Sequence, residues 1–351
     1  VAGAALDEVA ARALTAYDLP DFEIRPVRFA NNAVFEVVTR DGGSLLSGRG
    51  EARYALRVHR DGYRTIGEIR AELAFLAALA QELRGTRIDV PAPVPARSGE
   101  FVVAVSSADS HGAVTRYCDL LTWIPGTVLK YGTGLGQDGC ALLGEGLARV
   151  HRLAERFDLP PGSEVPRWDA ETMFSEASPF RPGPMEDFLS RESWALFREV
   201  ATRTQEVLAR LDGVPSQRGV IHNDFVLINA LFRRSADGWR LGILDFDDLG
   251  WGYFLYDLAP ILGNLFDWPK AHPWLRRAFL NGYQSVRQLP DGLEEDLPVL
   301  MAARHAVMLT WLAAKQRRGE TDPDLPIERH VNVRVEDMSR CLALASGRAR
   351  H

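Results

Sequence analysis

One short segment limits what this chain can be more than any other part of it. Between long helical patterns, residues Val220 to Asp248 form a β-rich island that carries His222-Asn-Asp224-Phe-Val-Leu-Ile-Asn229 and then Ile243-Leu-Asp245-Phe-Asp-Asp248. Ala230–Arg233 and Trp239–Leu244 read as two strands around a turn at Asp237-Gly238, a dipeptide that suits the positive φ of a tight hairpin. Such a hairpin returns its second strand to the start of its first and so brings Asn229 and Asp245 together. Phosphoryl transfer needs an oriented hydroxyl, divalent metal across the phosphates and positive charge for the equatorial oxygens. Asp224 has the chemistry of a base for the hydroxyl proton, and Asn229 and Asp245 have that of metal ligands.

The rest of the chain divides around this island. Residues 3–17 read as a helix, followed by strand-like runs at Glu23–Phe29, Ala33–Thr39 and Arg53–His59, with the Gly- and Ser-rich stretch Asp41–Gly50 as a hairpin loop. An amphipathic helix at Ile66–Leu83, a proline-rich connector from Val90, and strands at Phe101–Val105 and Val114–Thr122 complete a β-rich first third. Beyond Trp123-Ile-Pro-Gly126 the texture is helical, with long patterns at Gln137–Phe157, Met185–Leu211, Trp274–Gln284, Leu293–Arg318 and Glu328–Ala345. The fold class expected is α+β, with a small β-rich lobe over residues 1–122 and a larger, mostly helical lobe over 123–351.

The pattern HxDxxxxN followed by an apolar strand ending in Asp resembles the aminoglycoside phosphotransferase and choline kinase superfamily, relatives of the protein kinases. The run Asp247-Asp-Leu-Gly-Trp-Gly-Tyr-Phe-Leu-Tyr-Asp257 is similar to that family's tail, where Asp257 stands at the position that braces the catalytic loop. Leu147-Ala-Arg-Val-His151 and the hinge-like Leu121-Thr-Trp-Ile-Pro-Gly126 also match, so the resemblance covers about residues 23 to 262. It implies a bilobal protein-kinase-like fold and transfer of the γ-phosphoryl of ATP, with Mg2+, to a hydroxyl of an antibiotic or metabolite. Asp224 is then the base, and Asn229 and Asp245 hold the metal. GTP is as compatible with these residues as ATP.

A kinase also needs a cation on a central strand, paired to a helix carboxylate, to reach the α- and β-phosphates. Arg57 stands where a family lysine often sits, with Glu72 as its partner and Glu68 one turn earlier as the alternative. No GxGxxG precedes that strand. Asn31 and Asn32, in the turn Phe29-Ala-Asn-Asn-Ala, are the candidates for covering phosphate, since asparagine tolerates positive φ. His151 and His222 read as packing residues. Inside the catalytic loop, Phe225-Val-Leu-Ile228 is apolar where relatives carry polar residues, so Val226 offers no cation to the transferring phosphate.

The residue before Asp224 is Asn223 rather than the arginine of regulated protein kinases, and no long activation segment follows Asp245. Small-molecule phosphotransfer without prior activation follows as the leading expectation. A protein Ser/Thr kinase and a nucleotide-binding protein without turnover remain as alternatives. For the acceptor, the aromatic candidates are Trp168, Trp251, Phe266, Trp268 and Trp274, and the acidic ones are Asp267 and Glu294-Glu-Asp296. The net charge of -6 argues against nucleic acid. Cys118, Cys140 and Cys341 match no disulfide or metal spacing. Asp7, Glu8 and Arg12 interrupt the N-terminal apolar pattern, and no apolar run elsewhere reaches about 18 residues. A cytoplasmic protein with no membrane partner is therefore expected; the oligomeric state is not fixed by these features.

Overall fold

In the computed structural model, residues 2–29, 32–39, 52–109, 112–129, 134–266, 273–320 and 326–346 are described. The chain divides into two units: Val1–Gly126 with Asp158–Val165 and Gly242–Leu244, and Thr127–Phe157 with Pro166–Leu241 and Asp245–His351.

The first unit opens with α1 (Ala2–Leu14), followed by β1 (Phe22–Phe29), β2 (Asn32–Thr39) and β3 (Ala52–His59). Helix α2 (Ile66–Glu82) comes next, then β4 (Ile88–Asp89), β5 (Pro93–Val94), β6 (Val102–Asp109) and β7 (Gly112–Thr122). The main sheet runs β1-β2-β3-β7-β5, with β6 also paired to β7. Alternation along β3 sends Leu56 and Val58 into a core with Val9, Leu14 and Tyr17, and sends Arg57 and His59 to the opposite face. Antiparallel register sets Arg57 directly opposite Asp119 of β7. Helix α2 starts at Thr65 through a capping box: Thr65 Oγ1 accepts from the Glu68 N–H, and the Glu68 carboxylate accepts from the Thr65 N–H at 2.8 Å.

The second unit contains β8 (Thr127–Val128), α3 (Gln137–Ala154), α4 (Arg191–Asp212), β9 (Arg218–Ile221), β10 (Ala230–Ser235) and β11 (Gly238–Ile243). It continues with β12 (Gly250–Tyr253), α5 (Phe254–Asp257), α6 (Ala259–Phe266), α7 (Pro273–Gln284), α8 (Leu293–Arg317) and α9 (Ile327–Ala345). β10 lies between β11 and β8, and β12 pairs antiparallel with β9. Helices α3 and α7 cross at two glycines. A Cβ on Gly144 would meet the Phe279 carbonyl oxygen at 1.9 Å, and one on Gly282 would meet that of Ala141 at 1.9 Å.

Two expectations change. The helix expected from Met185 begins at Arg191, because Ser190 takes the extended N-cap conformation and its hydroxyl accepts from the Ser193 N–H. Helix α8 is long and apolar enough to cross a membrane by length and composition, although no such run was expected. Of that apolar window 78% is buried inside the protein, as befits a core helix that is apolar on most of its circumference.

Candidate active site

The catalytic-loop motif lies between β9 and β10. Its first residues are fixed by Asp257, the last residue of α5, which is fully buried. The Asp257 carboxylate accepts from the N–H of His222 at 2.8 Å, from the N–H of Asn223 at 2.6 Å and from His151 Nε2–H at 3.0 Å. Burial alone would raise this carboxyl, but the hydrogen bonds it accepts, first from His151 and then from the His222 N–H, outweigh it and hold the group below the usual carboxylate range. Burial in turn pushes His151 below the ordinary histidine range. The neutral ring donates from Nε2 and accepts from the Tyr283 hydroxyl at Nδ1, 2.7 Å away. The close approach of α3 to α7 delivers that hydroxyl.

Asn223 follows at φ 65, an uncommon left-handed conformation for a residue other than glycine. Asp224 comes next and is held on both oxygens. Asn229 Nδ2 donates to Asp224 Oδ2 at 2.9 Å and to its backbone carbonyl at 3.0 Å, while Arg304 of α8 pairs with Oδ1. Arg304 also donates to the carbonyl of Asn223 at 3.3 Å. His222 packs at a tilt against Phe246, with ring centroids 4.4 Å apart, and its Nδ1 accepts from the Asp224 N–H at 3.3 Å. It is thus a packing residue that also shapes the loop.

Asn229 commits its amide nitrogen to Asp224, which leaves its carbonyl oxygen as the donor suited to a hard cation. Asp245 adds a carboxylate on a backbone held at φ 66. Two hard oxygen donors would suit a divalent cation such as Mg2+. Among the described residues, no group of three or more His, Cys, Asp or Glu forms a metal cage of its own.

The apolar loop alternates. Phe225 and Leu227 are buried beneath it, whereas Val226 and Ile228 line a cavity of about 330 Å3 beside Asp224. Met301 and Met308 of α8 extend the apolar wall. The polar lining comes from Asp224, Arg304, His305 and, on α9, Arg334.

In the first unit Arg57 is buried and forms an ion pair with Glu72 at 2.6 Å. Glu68 is taken by the capping box, so the two alternatives separate. The same guanidinium donates to Asp119 from Nε at 2.9 Å and from Nη2 at 3.1 Å, and His59 Nε2 lies 2.5 Å from Asp119 Oδ2. Burial would raise the Asp119 carboxyl, but the charges of Arg57 and His59 bring it below its usual range. Asn32 is buried and faces His59 across β2 and β3, whereas Asn31 lies outside the described residues.

Most expected acceptor contacts are elsewhere. Trp168 is fully buried, its indole N–H donating to the Asp248 carbonyl at 3.1 Å. Glu294 is paired with Arg276 and Asp296 with Arg210, and neither lines the cavity. Trp251 and Trp274 do not line it either, Phe266 ends α6, and Asp267 and Trp268 lie outside the described residues. Asp119 and Arg304 were not anticipated. Each is a lone charge in an apolar run, Cys118-Asp-Leu-Leu121 and Leu300-Met-Ala-Ala-Arg-His-Ala-Val307, and that isolation was the available signal.

Comparison with known proteins identifies the family. Residues 23–295 match the model of the phosphotransferase enzyme family. An uncharacterised protein of Deinococcus radiodurans is 30% identical over 276 residues, covering 76% of this chain and 72% of that one. A homoserine kinase of Gluconobacter oxydans is 30% identical over 236 residues, spanning 65% of this chain and 66% of that protein. Among solved structures, a microcompartment-associated aminopropanol kinase superposes with a TM-score of 0.76 at 27% identity, covering 98% of this chain and 99% of that one.

Proposed function

The chain belongs to the phosphotransferase enzyme family, and on that footing we propose that it transfers the γ-phosphoryl group of ATP to a hydroxyl of a small molecule. The observation that carries this reading is the Asp224 carboxylate, aimed by Asn229 on one oxygen and Arg304 on the other, at the wall of a small cavity. Asp224 accepts the acceptor's hydroxyl proton as the new P–O bond forms and the bond to the ADP oxygen breaks. Asn229 and Asp245 are the residues to hold Mg2+, which when bound supplies positive charge to the phosphate oxygens. Arg57, kept in place by Glu72 and Asp119, is assigned to the nucleotide phosphates together with the Asn31-Asn32 turn. Arg304 brings a permanent cation to the loop whose Val226 brings none.

A cavity of about 330 Å3 is at the small end of ligand sites and favours a compact acceptor over an extended peptide. The test is ADP release with Mg2+ and ATP over a panel of antibiotics, amino alcohols, hydroxy acids, sugars and a protein substrate, with added phosphate mass identifying the product. Asp224→Ala should abolish transfer while Mg·ATP still raises the melting temperature. Failure of Mg·ATP to bind the wild-type protein at all would remove the kinase reading.

A further inference from the structure

Ile228 is the most exposed large apolar side chain among the described residues, at 68%, and it stands in the catalytic loop beside Asp224. A single apolar side chain in water needs no explanation, but this one continues a wall. Val226, Met301 and Met308 line the same cavity, and so do Ala259 and Pro260 at the start of α6. The charged groups of the cavity are matched within the protein. Asp224 is engaged by Arg304 and Asn229, and Arg304 divides its guanidinium between Asp224 and the Asn223 carbonyl. Arg334 and His305 gather about the buried Asp337, whose Oδ2 lies 3.7 Å from Arg334 Nη1 and 3.6 Å from His305 Nδ1. Each charge on the wall thus has a partner, whereas the apolar side chain of Ile228 is left to water.

A charged acceptor group entering this cavity gives up hydration and meets groups whose counter-charges are already in place, so its desolvation is poorly compensated. A carbon skeleton laid over Ile228 and Val226 instead leaves water together with the apolar surface that it covers. Resting on the phosphotransfer reading above, we infer that the acceptor is an uncharged alcohol with an apolar carbon skeleton, and that Ile228 is the side chain that selects it. The alcohol oxygen bonds to the γ-phosphorus, its proton passes to Asp224, and the bond from that phosphorus to the ADP oxygen breaks. The products are the alkyl phosphate and ADP. Asp224 supplies the chemistry and Ile228, on the same loop, supplies the choice of acceptor.

Five compact alcohols separate charge from polarity. 3-Methylbutan-1-ol is uncharged and apolar, butane-1,4-diol uncharged and polar, 3-aminopropan-1-ol cationic, 4-hydroxybutanoate anionic and homoserine zwitterionic. The measurement is kcat/KM for each from ADP release, with product mass. 3-Methylbutan-1-ol should exceed the diol and every charged alcohol by roughly tenfold or more. Ile228→Ser should lower its kcat/KM roughly tenfold, chiefly through KM and with the KM for ATP unchanged, while Ile228→Val should keep most of it. Ile228→Asp adds a carboxylate to the wall and should turn the preference towards 3-aminopropan-1-ol. Because Ile228 is exposed, all three variants should melt close to the wild type. A wild-type preference for the diol or for any charged alcohol overturns the assignment and leaves phosphotransfer standing. So does an unchanged selectivity in the Ser and Asp variants, or turnover of other panel alcohols but none of these five. No ADP release with any acceptor removes both readings.

Discussion

Arg304 forms an ion pair with Asp224 across 80 residues of sequence, and the same guanidinium holds the carbonyl of the residue before it. The proposed base is therefore fixed from two directions: by Asn229 within its own loop and by a core helix far along the chain. Arg304 is 9% exposed, and Asp224 reaches the cavity with a side chain that is 24% exposed. The arrangement leaves the carboxylate accessible to an acceptor while restricting its rotamer.

Arg304→Met should consequently lower kcat on the order of 100-fold, the scale on which small misplacements of reacting groups act. The loss should fall on kcat more than on the KM for nucleotide. Arg304→Lys keeps charge without the fork and should recover a minor part of it. Steady-state kinetics at saturating Mg·ATP decide the matter: a kcat within twofold of wild type would show that Asn229 alone aims the base.

The grouping of the loop residues is legible in the sequence because it is local. Asp224, Asn229 and Asp245 sit on one loop and one hairpin, and spacing alone relates them. Glu72 could be named but not separated from Glu68 until the capping box at Thr65 accounted for the latter. Asp119 and Arg304 depend on strand register and on helix packing between distant segments, which no local spacing encodes. The acidic run Glu294-Glu-Asp296 reads as an acceptor contact for the converse reason, that local sequence does not show its partners. Those charges begin α8, where carboxylates suit the helix N-terminus, and arginines of α4 and α7 engage two of them.

Asp257 accepts three hydrogen bonds while fully buried, so its removal leaves donors with nowhere to turn. Asp257→Ala should cost roughly 3–5 kcal/mol of stability, the usual penalty for breaking a buried charged network. Asp257→Asn should recover little, because its NH2 group presents a donor to donors. Urea denaturation of both variants tests this. A midpoint shift worth less than about 1 kcal/mol would mean that the loop does not depend on this brace.

Arg57 pairs with Glu72 and Asp119 at once, all three side chains being buried. Arg57→Met should therefore destabilise the protein by about 3–5 kcal/mol, whereas Arg57→Met combined with Asp119→Asn should lose less than the sum of the single changes. Arg57→Lys retains one charge but cannot bridge both carboxylates with a planar fork, and it should raise the KM for ATP more than that for the acceptor. Additive single effects in the thermodynamic cycle would show that the pair is not coupled.

His305 gives a pH dependence whose sign is fixed. Burial, followed by the charges of Arg334, Arg304 and Arg340, pushes its folded-state value down to about 3, while an unfolded histidine titrates near 6.5. Below pH 6.5 the unfolded chain takes up a proton that the folded one refuses, so stability is greatest above that value and declines as the pH falls towards 3. From pH 6.5 to 5 this one residue should remove about 2 kcal/mol. His305→Gln abolishes that titration, although losing the contact with Arg334 changes the absolute stability as well. The readout is therefore the slope of urea-derived stability against pH, which should be shallower by up to one proton in the variant. His151, also held neutral by burial, contributes equally to both proteins and cancels in the comparison. Parallel slopes for the two proteins between pH 5 and 6.5 would mean that His305 is protonated in the folded state.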